Sequence, residues 1–360
     1  MDIGNPQEFD YSTMAKRKVD AVSEAVDDVS ETEPRGDGYF ESYANLGIHE
    51  EMLRCRRTDA YLDAIQRSAP LLAGKAVLDV GCGTGVLAIA CVRAGARIVY
   101  AVEASAVSAC ARAVVQKLGL EQSVIVMEGR MEDVELPEQV DVIVSEWMGC
   151  FMLYESMLDS VLRARDRWLV AGGCMLPRRA RMWLSPYRDE EEAAERAAFW
   201  RDVHGIDMSC LAPIAQAELA RKPQIEFALP QNVIADAALL LDLDLTRCKV
   251  EDVQSVPRTQ FCVPSHVRAE VHAFVGHFDV ELTEGFWLST SPADEPTHWR
   301  QVIFYLDHPY HVTQDEAIHG AMSLKQAADN PRCWDITLEY GGDVVGAGKH
   351  TQRLTLDVSC

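Results

Sequence analysis

The sequence predicts an α/β domain built on a parallel sheet, followed by an antiparallel β domain of barrel or sandwich type. Three observations carry this. Apolar strand-like runs alternate with helical runs between residues 76 and 145, the pattern of a parallel sheet with helices on both faces. The first of those runs, AVLDVGCGTG (76–85), ends in a glycine-rich turn. Beyond Pro177 the segments become rich in β-branched and aromatic residues separated by turn formers, as antiparallel strands are.

In chain order, residues 1–36 hold nine Asp/Glu against four Lys/Arg and few large apolar residues. They read as a flexible acidic tail with a short helix near 14–26. Residues 39–73 are expected to be helical, because Leu53, Tyr61, Leu62 and Ile65 recur near a 3.6 period. A helix at 86–94, a strand at 98–102, a helix at 106–118 and a strand at 124–127 follow. The strand at 140–145 runs into SEWMG. In the second half, strands are expected at 267–280, 301–306 and 354–358, the last with Leu354, Leu356 and Val358 alternating. One helix interrupts them, EEEAAERAAFWRDV (190–203), alanine-rich, amphipathic and closed by Gly205. It presents Phe199 and Trp200 either to a partner subunit or to its own domain. The expected division is 1–36, 37–177 and 178–360.

The 360 residues are 48% apolar, which suits one or two domains with sizeable cores. A formal net charge of −22 argues against direct contact with nucleic acid or an anionic membrane and favours basic partners. No run of some 18 apolar residues suggests a membrane span. The opening MDIGNPQEFD lacks the pattern of a secretory signal. Eleven cysteines are scattered without CxxC pairs or metal-ligand spacing. They are expected to be reduced thiols of a cytoplasmic protein, with the nucleus as a further compartment, and no metal site is expected.

Asp79, Gly81, Gly83 and Gly85 stand where the first strand turns into a helix. Glycine lets backbone approach a ligand closely, and the helix start offers free N–H groups. Glu103, eighteen residues after Gly85 at the end of the next strand, has the position of an acid that grips both hydroxyls of a ribose. A dinucleotide site has the spacing G-x-G-x-x-G. Here it is G-x-G-x-G with Asp79 two residues before the first glycine. An acid there opposes a pyrophosphate and suits the cationic amino-acid end of S-adenosylmethionine.

The segment SEWMGCFMLYESM (145–157) places Glu146 and Glu155 nine residues apart among Trp147, Met148, Phe151, Met152, Leu153, Tyr154 and Met157. Glutamates in so apolar a setting need a positive partner, and the segment has no Lys or Arg of its own. Either a cationic substrate supplies the charge, or one glutamate caps a helix and the other lies on the surface. Guanidinium fits the first reading best, being planar, rich in donors and able to be gripped by two carboxylates. It is also a poor nucleophile. Acids on two sides concentrate its lone pair on one nitrogen, aim that nitrogen at a sulfonium methyl at roughly 3–3.5 Å, and stabilise the cation as methylation proceeds.

With these motifs in this order, the chain resembles the protein arginine methyltransferase family over about residues 37–360. YFESY (39–43) and NLGIHEEM (45–52) match the family's cofactor-covering helices, VLDVGCGTG its glycine loop and VEAS its ribose-binding strand end. GRMEDVELP (129–137) matches its adenine-contacting segment, SEWMGCFMLYESM its double-glutamate loop and PTHWRQ (296–301) its Thr-His-Trp loop. The resemblance implies a Rossmann-like S-adenosylmethionine-binding domain joined at Pro177 to a β-barrel. It implies a dimerisation arm at about 189–212, a homodimer, and basic protein substrates such as Arg/Gly-rich segments. Glu146 and Glu155 are implied to hold the guanidinium and His298 to touch the active site as a catalytic residue. His49, Asp79, Gly81, Gly83, Glu103 and Glu132 are implied to bind the cofactor. Arg57 is implied to pair with its carboxylate, with Arg54 or Arg56 as alternatives because LRCRR before Thr58 is one residue short of the family's pattern. Tyr43, Met52, Met157 and Trp299 are implied to line the substrate pocket, the methionines leaving space for a second methyl. The implied products are monomethyl and asymmetric dimethylarginine, those of type I members. An aspartate that often pairs with the loop histidine is replaced here by Cys55 or Arg54. The other readings are a methyltransferase for small molecules or nucleic acid, a family member acting mainly as a binding scaffold, and a dinucleotide dehydrogenase.

Overall fold

The computed structural model describes residues 38–341 and 348–357. The expected acidic tail with its helix near 14–26, and Val358, lie outside the described residues. Four helices replace the single helical run expected over 39–73: α1 (Tyr39–Ser42), α2 (Leu46–Arg54), α3 (Arg56–Arg67) and α4 (Ala69–Leu72). The side chain of Asn45 caps α2 by accepting the Gly47 N–H at 2.8 Å. Cys55, extended at φ −84° and ψ 146°, separates α2 from α3. Pro70 stands in the first turn of α4. Of the residues that set the expected period, Tyr61 and Ile65 are buried on α3 but Leu53 is exposed.

The Rossmann-like layer is a five-stranded parallel sheet of β1 (Ala76–Val80), β2 (Ile98–Glu103), β3 (Val124–Glu128), β4 (Val140–Val144) and β5 (Leu169–Leu176), in the order β3-β2-β1-β4-β5. Helices α5 (Val86–Arg93), α6 (Ser108–Leu118) and α7 (Met157–Trp168) lie between its strands in the chain. Every residue of β1 is buried, as in a strand covered on both faces. β2 pairs with one side of β1 and β4 with the other. The strand order therefore reverses at β1, and the crevice beyond its carboxyl end is where such sheets hold ligands.

The chain leaves this layer through a cis Leu176–Pro177 peptide. One antiparallel sheet contains β6 (Arg179–Tyr187), β7 (Gln224–Glu226), β8 (Ala238–Asp244), β10 (Ala269–Thr283), β11 (Phe286–Ser289) and β12 (Gln301–Val312). A second contains β9 (Ser255–Pro264), β13 (Ala317–Gln326), β14 (Trp334–Tyr340) and β15 (His350–Leu356). Side-chain hydrogen bonds cross both seams, from Thr259 to the Leu240 carbonyl at 3.2 Å and from Gln352 to the Tyr305 carbonyl at 2.8 Å. The two sheets thus enclose a barrel-like core around Phe274, Phe278, Phe304, Trp334 and Tyr340. β12 runs six residues past its expected end at 306 because a register shift opposite Val271 and Ala273 accommodates Pro309.

Between β6 and β7 project α8 (Glu190–Arg201) and α9 (Ala212–Leu219), neither of which buries a residue. Phe199, Ile206 and Ile214 are all more than half exposed there, at 57%, 56% and 56%. Among the described residues no helix is long and apolar enough to cross a membrane.

Candidate active site

Gly81, Gly83 and Gly85 carry the chain from β1 into α5 with φ of 74°, 54° and 86°, a region that side chains disfavour. Two of them also permit close approach. A Cβ on Gly81 would overlap the Met157 methyl, and one on Gly83 would press on the His49 ring at 3.1 Å. Glu103, ending β2, is folded back towards this loop. Its two carboxylate oxygens accept the Gly83 N–H at 2.9 Å and the Ser105 N–H at 2.8 Å. Beyond the loop opens a cleft of about 1140 Å³, its mouth included. Its walls bring together Gly81, Gly83, Glu103 and Glu132 with His49 and Arg57, and Tyr43, Met52 and Met157 with Glu146 and Glu155. Glu132 accepts the Ser160 hydroxyl at 2.6 Å.

Asp79 does not reach that wall. It is fully buried in β1, and neither of its oxygens has a close hydrogen-bond donor. Burial pushes its carboxyl up to about 7, helped by the nearby charge of Glu103. The structure thus places Asp79, expected from the sequence to bind the cofactor, behind the glycine loop rather than among the cleft-lining residues.

The acidic loop leaves β4 at Ser145, whose hydroxyl donates to the Val80 carbonyl at 2.7 Å and whose carbonyl accepts the Tyr61 hydroxyl at 3.0 Å. Phe151, Met152, Glu155 and Ser156 then adopt left-handed φ of 50°, 66°, 73° and 54°. Four such residues in six positions make a strained path that surrounding structure must impose. The barrel imposes it. The Phe151 ring packs on Phe304, centroids 5.3 Å apart, and over Gly276, where any Cβ would overlap it. Trp299 Nε1 donates to the Met148 carbonyl at 2.7 Å. Glu155 N–H donates to the Arg332 carbonyl at 3.0 Å.

Both glutamates are thereby held in the cleft, but they are not equally furnished. Glu146 accepts the Met148 N–H at 3.1 Å and a short, ion-paired hydrogen bond from Arg57 Nη1. This corrects the expectation that the two acids have no protein counter-ion. The charge comes from α3, outside the loop. It also shows Arg57 on Glu146 rather than facing a cofactor carboxylate alone. Arg54 pairs with Glu50 and Arg56 with Glu295, so of the three arginines only Arg57 lines the cleft. Burial raises the Glu146 carboxyl above its usual range, against the pull of Arg57. Glu155 is pushed up to about 7, mainly by burial and further by the charge of Glu146, while the Tyr43 and Tyr39 hydroxyls and Arg332 oppose the shift. The Tyr43 hydroxyl donates to Glu155 at 3.0 Å.

His298 and Trp299 stand behind the cleft rather than among its lining residues. The His298 backbone N–H donates to Cys55 Sγ at 3.3 Å, and its Nδ1 lies 3.7 Å from the same sulfur. Burial, with Arg57 nearby, drops its imidazole to about 3, so it is neutral at ordinary pH. Trp299 acts on the site by supporting Met148. The cleft also contains Tyr39 and Phe40 of the YFESY segment, and Arg332, which its sequence context did not single out. Arg332 lies 177 positions beyond Glu155, and no local pattern marks it.

A parallel sheet with a glycine loop and a ribose-type acid at adjacent strand ends, capped by helices and backed by a barrel, defines the class of nucleotide-cofactor methyltransferases. The residues fit S-adenosylmethionine. Glu103 is pre-oriented at the cleft wall, the glycine loop opens onto the cleft, and the acids beyond it suit a cationic cofactor and acceptor. Residues 77–173 match a methyltransferase domain model, and residues 178–343 match the arginine methyltransferase oligomerization subdomain. A probable protein arginine N-methyltransferase 6.1 of Oryza sativa subsp. indica is 41% identical over 330 residues, 84% of this chain and 87% of that protein. Protein arginine N-methyltransferase 1 of Chlamydomonas reinhardtii is 40% identical over 313 residues, 84% of this chain and 88% of that protein. The Trypanosoma brucei PRMT1 enzyme–prozyme heterotetrameric complex with AdoHcy aligns with TM-score 0.80 at 36% identity, covering 88% of this chain and all of that one. Arabidopsis thaliana protein arginine methyltransferase 10 aligns with TM-score 0.77 at 32% identity over 89% of this chain and all of that one. The chain belongs to the protein arginine N-methyltransferase family, whose methyl donor is S-adenosylmethionine.

Proposed function

We propose that the chain methylates arginine side chains of basic proteins, giving monomethyl and then asymmetric dimethylarginine, and that Glu146 and Glu155 clamp the guanidinium. The observation that carries this is that two half-buried glutamates share one cleft with the glycine loop. S-adenosylmethionine supplies an electrophilic methyl group when bound. Glu103 would hold its ribose, Glu132 its adenine, and Arg57 with His49 its amino-acid end. Arg57 now neutralises Glu146, so its move to the cofactor carboxylate would leave Glu146 open to a substrate cation. Glu146 and Glu155 then orient the planar guanidinium and concentrate electron density on the attacking nitrogen. Glu155, with its carboxyl held near 7, is a stronger base than an ordinary carboxylate and takes the proton that this nitrogen sheds. Met52 and Met157 flank the channel with flexible thioethers that admit a methylated nitrogen for a second round. The exposed segment at about 189–212, with helix α8, forms the arm through which two copies associate.

One observation favours the scaffold reading: Glu146 already has a protein partner in Arg57. Substitution separates the two. Glu146→Gln is expected to lower kcat/KM for an Arg/Gly-rich peptide by roughly 100- to 1000-fold. Cofactor affinity by calorimetry should hold or tighten, because Arg57 is released. Strong residual activity in E146Q, or a wild-type protein that binds cofactor and methylates no arginine, contradicts the clamp.

A further inference from the structure

We propose that Arg332, on the turn between β13 and β14, is a positioning residue that fixes Glu155 from the barrel side and docks helix α1 over it. The proposal rests on the reading that Glu155 takes part in methyl transfer. Glu155 sits at φ 73°, a conformation that a residue with a side chain leaves unless both of its peptide groups are held. Arg332 holds both. Its carbonyl accepts the Glu155 N–H at 3.0 Å, and its Nη1 donates to the Glu155 carbonyl at 2.8 Å. The neighbouring Pro331 carbonyl accepts the Ser156 hydroxyl at 2.6 Å. The turn that carries Arg332 is itself braced, its N–H donating to Asn330 Oδ1 at 3.0 Å and Cys333 N–H donating to the Asn330 carbonyl at 2.9 Å.

The same guanidinium faces α1. It lies 3.7 Å from the centroid of the Tyr39 ring and 5.2 Å from that of Phe40, within cation–π range. Tyr39 in turn packs against Tyr43, centroids 5.1 Å apart, and Tyr43 donates to Glu155. One barrel residue therefore joins the left-handed backbone of the acid, the helix over it and the hydroxyl that bonds its carboxylate. The groups facing that carboxylate are Tyr43 and Tyr39 from the N-terminal segment, Glu146 from its own loop and Arg332 from the barrel. Arg332 favours the ionised, guanidinium-binding form of Glu155, which Glu146 opposes.

The test compares R332Q and R332K with wild type, using E155Q to check the premise. It measures kcat and KM for an Arg/Gly-rich peptide across pH, melting temperature, and hydrogen exchange over 39–43 and 150–156. R332Q is expected to lose roughly 10–100-fold in kcat, as for a displaced reacting group, with a smaller change in KM. The acid limb of its kcat profile should move to higher pH. Exchange should quicken in those two segments ahead of the rest of the barrel. R332K keeps the charge without the paired backbone grip, so it should restore the limb and only part of kcat. An unmoved acid limb with wild-type kcat in R332Q overturns the proposal. So does a loss that tracks melting temperature with exchange rising throughout the barrel. If E155Q is fully active, the reading of Glu155 fails first and the proposal falls with it; if E155Q is inactive and R332Q normal, only the proposal fails.

Discussion

At the scale of single residues, the site is a set of compromises between charge and burial. Glu155 is raised to about 7 in the fold against an ordinary value of 4.5. Between those values the unfolded chain has released a proton that the folded one retains, so stability falls as pH rises through the window and the full penalty applies above about 7. Glu155→Gln is therefore expected to raise the melting temperature at pH 8 by roughly 2–6 °C, with the gain vanishing near pH 4.5, while turnover is lost. Calorimetric scans at the two pH values check this, and an E155Q protein less stable than wild type at pH 8 contradicts the burial argument. The two glutamates were legible in the sequence because acids stood among apolar residues with no cation nearby. Arg57 was legible as a cleft residue but not as the partner of Glu146, because the pairing spans 89 positions and depends on how α3 packs against α5 and the strands β10 and β11. The burial of Asp79 behind the loop was not legible, because its motif gives chain position, not the direction of its side chain.

At the scale of elements, the acidic loop is a strained segment that the barrel holds in shape. Gly276 on β10 exists as glycine because the Phe151 ring occupies the volume of a Cβ. Gly276→Ala should cost about 1–3 kcal/mol through overpacking and lower kcat more than cofactor affinity, since the displaced ring carries the loop. A variant with wild-type kcat would detach the loop's conformation from its docking. The proposed arm poses the complementary case, helices with no fully buried residue in one chain. Deleting 190–203 is expected to give monomers of weak activity, measured by light scattering and peptide methylation, and a fully active monomer contradicts the arm. The alternation of strands and helices over 76–145 was legible because each strand is a short apolar run between turn formers. The break at Cys55 was not, because a helical period survives a single extended residue. The extension of β12 through Pro309 was also hidden, because it needs a bulge in β12 itself, where residues 306–309 fall between the pairs Ala273–Tyr305 and Val271–Tyr310.

At the scale of the whole molecule, a net charge of −22 draws any cationic peptide, lysine-rich or arginine-rich, and that attraction weakens with salt. On the proposed clamp, discrimination comes from the cleft, where two carboxylates would grip a flat guanidinium better than an ammonium. The barrel, the parallel sheet and the N-terminal helices each contribute one wall of that cleft, so selectivity is a property of their assembly. The most direct measurement is mass spectrometry of an Arg/Gly-rich peptide and its lysine-substituted counterpart after incubation with isotopically labelled S-adenosylmethionine. Monomethyl and then asymmetric dimethyl label is expected on arginine and none on lysine, at low and high salt alike. Comparable labelling of the lysine peptide, or cofactor binding with no labelled arginine, would contradict it.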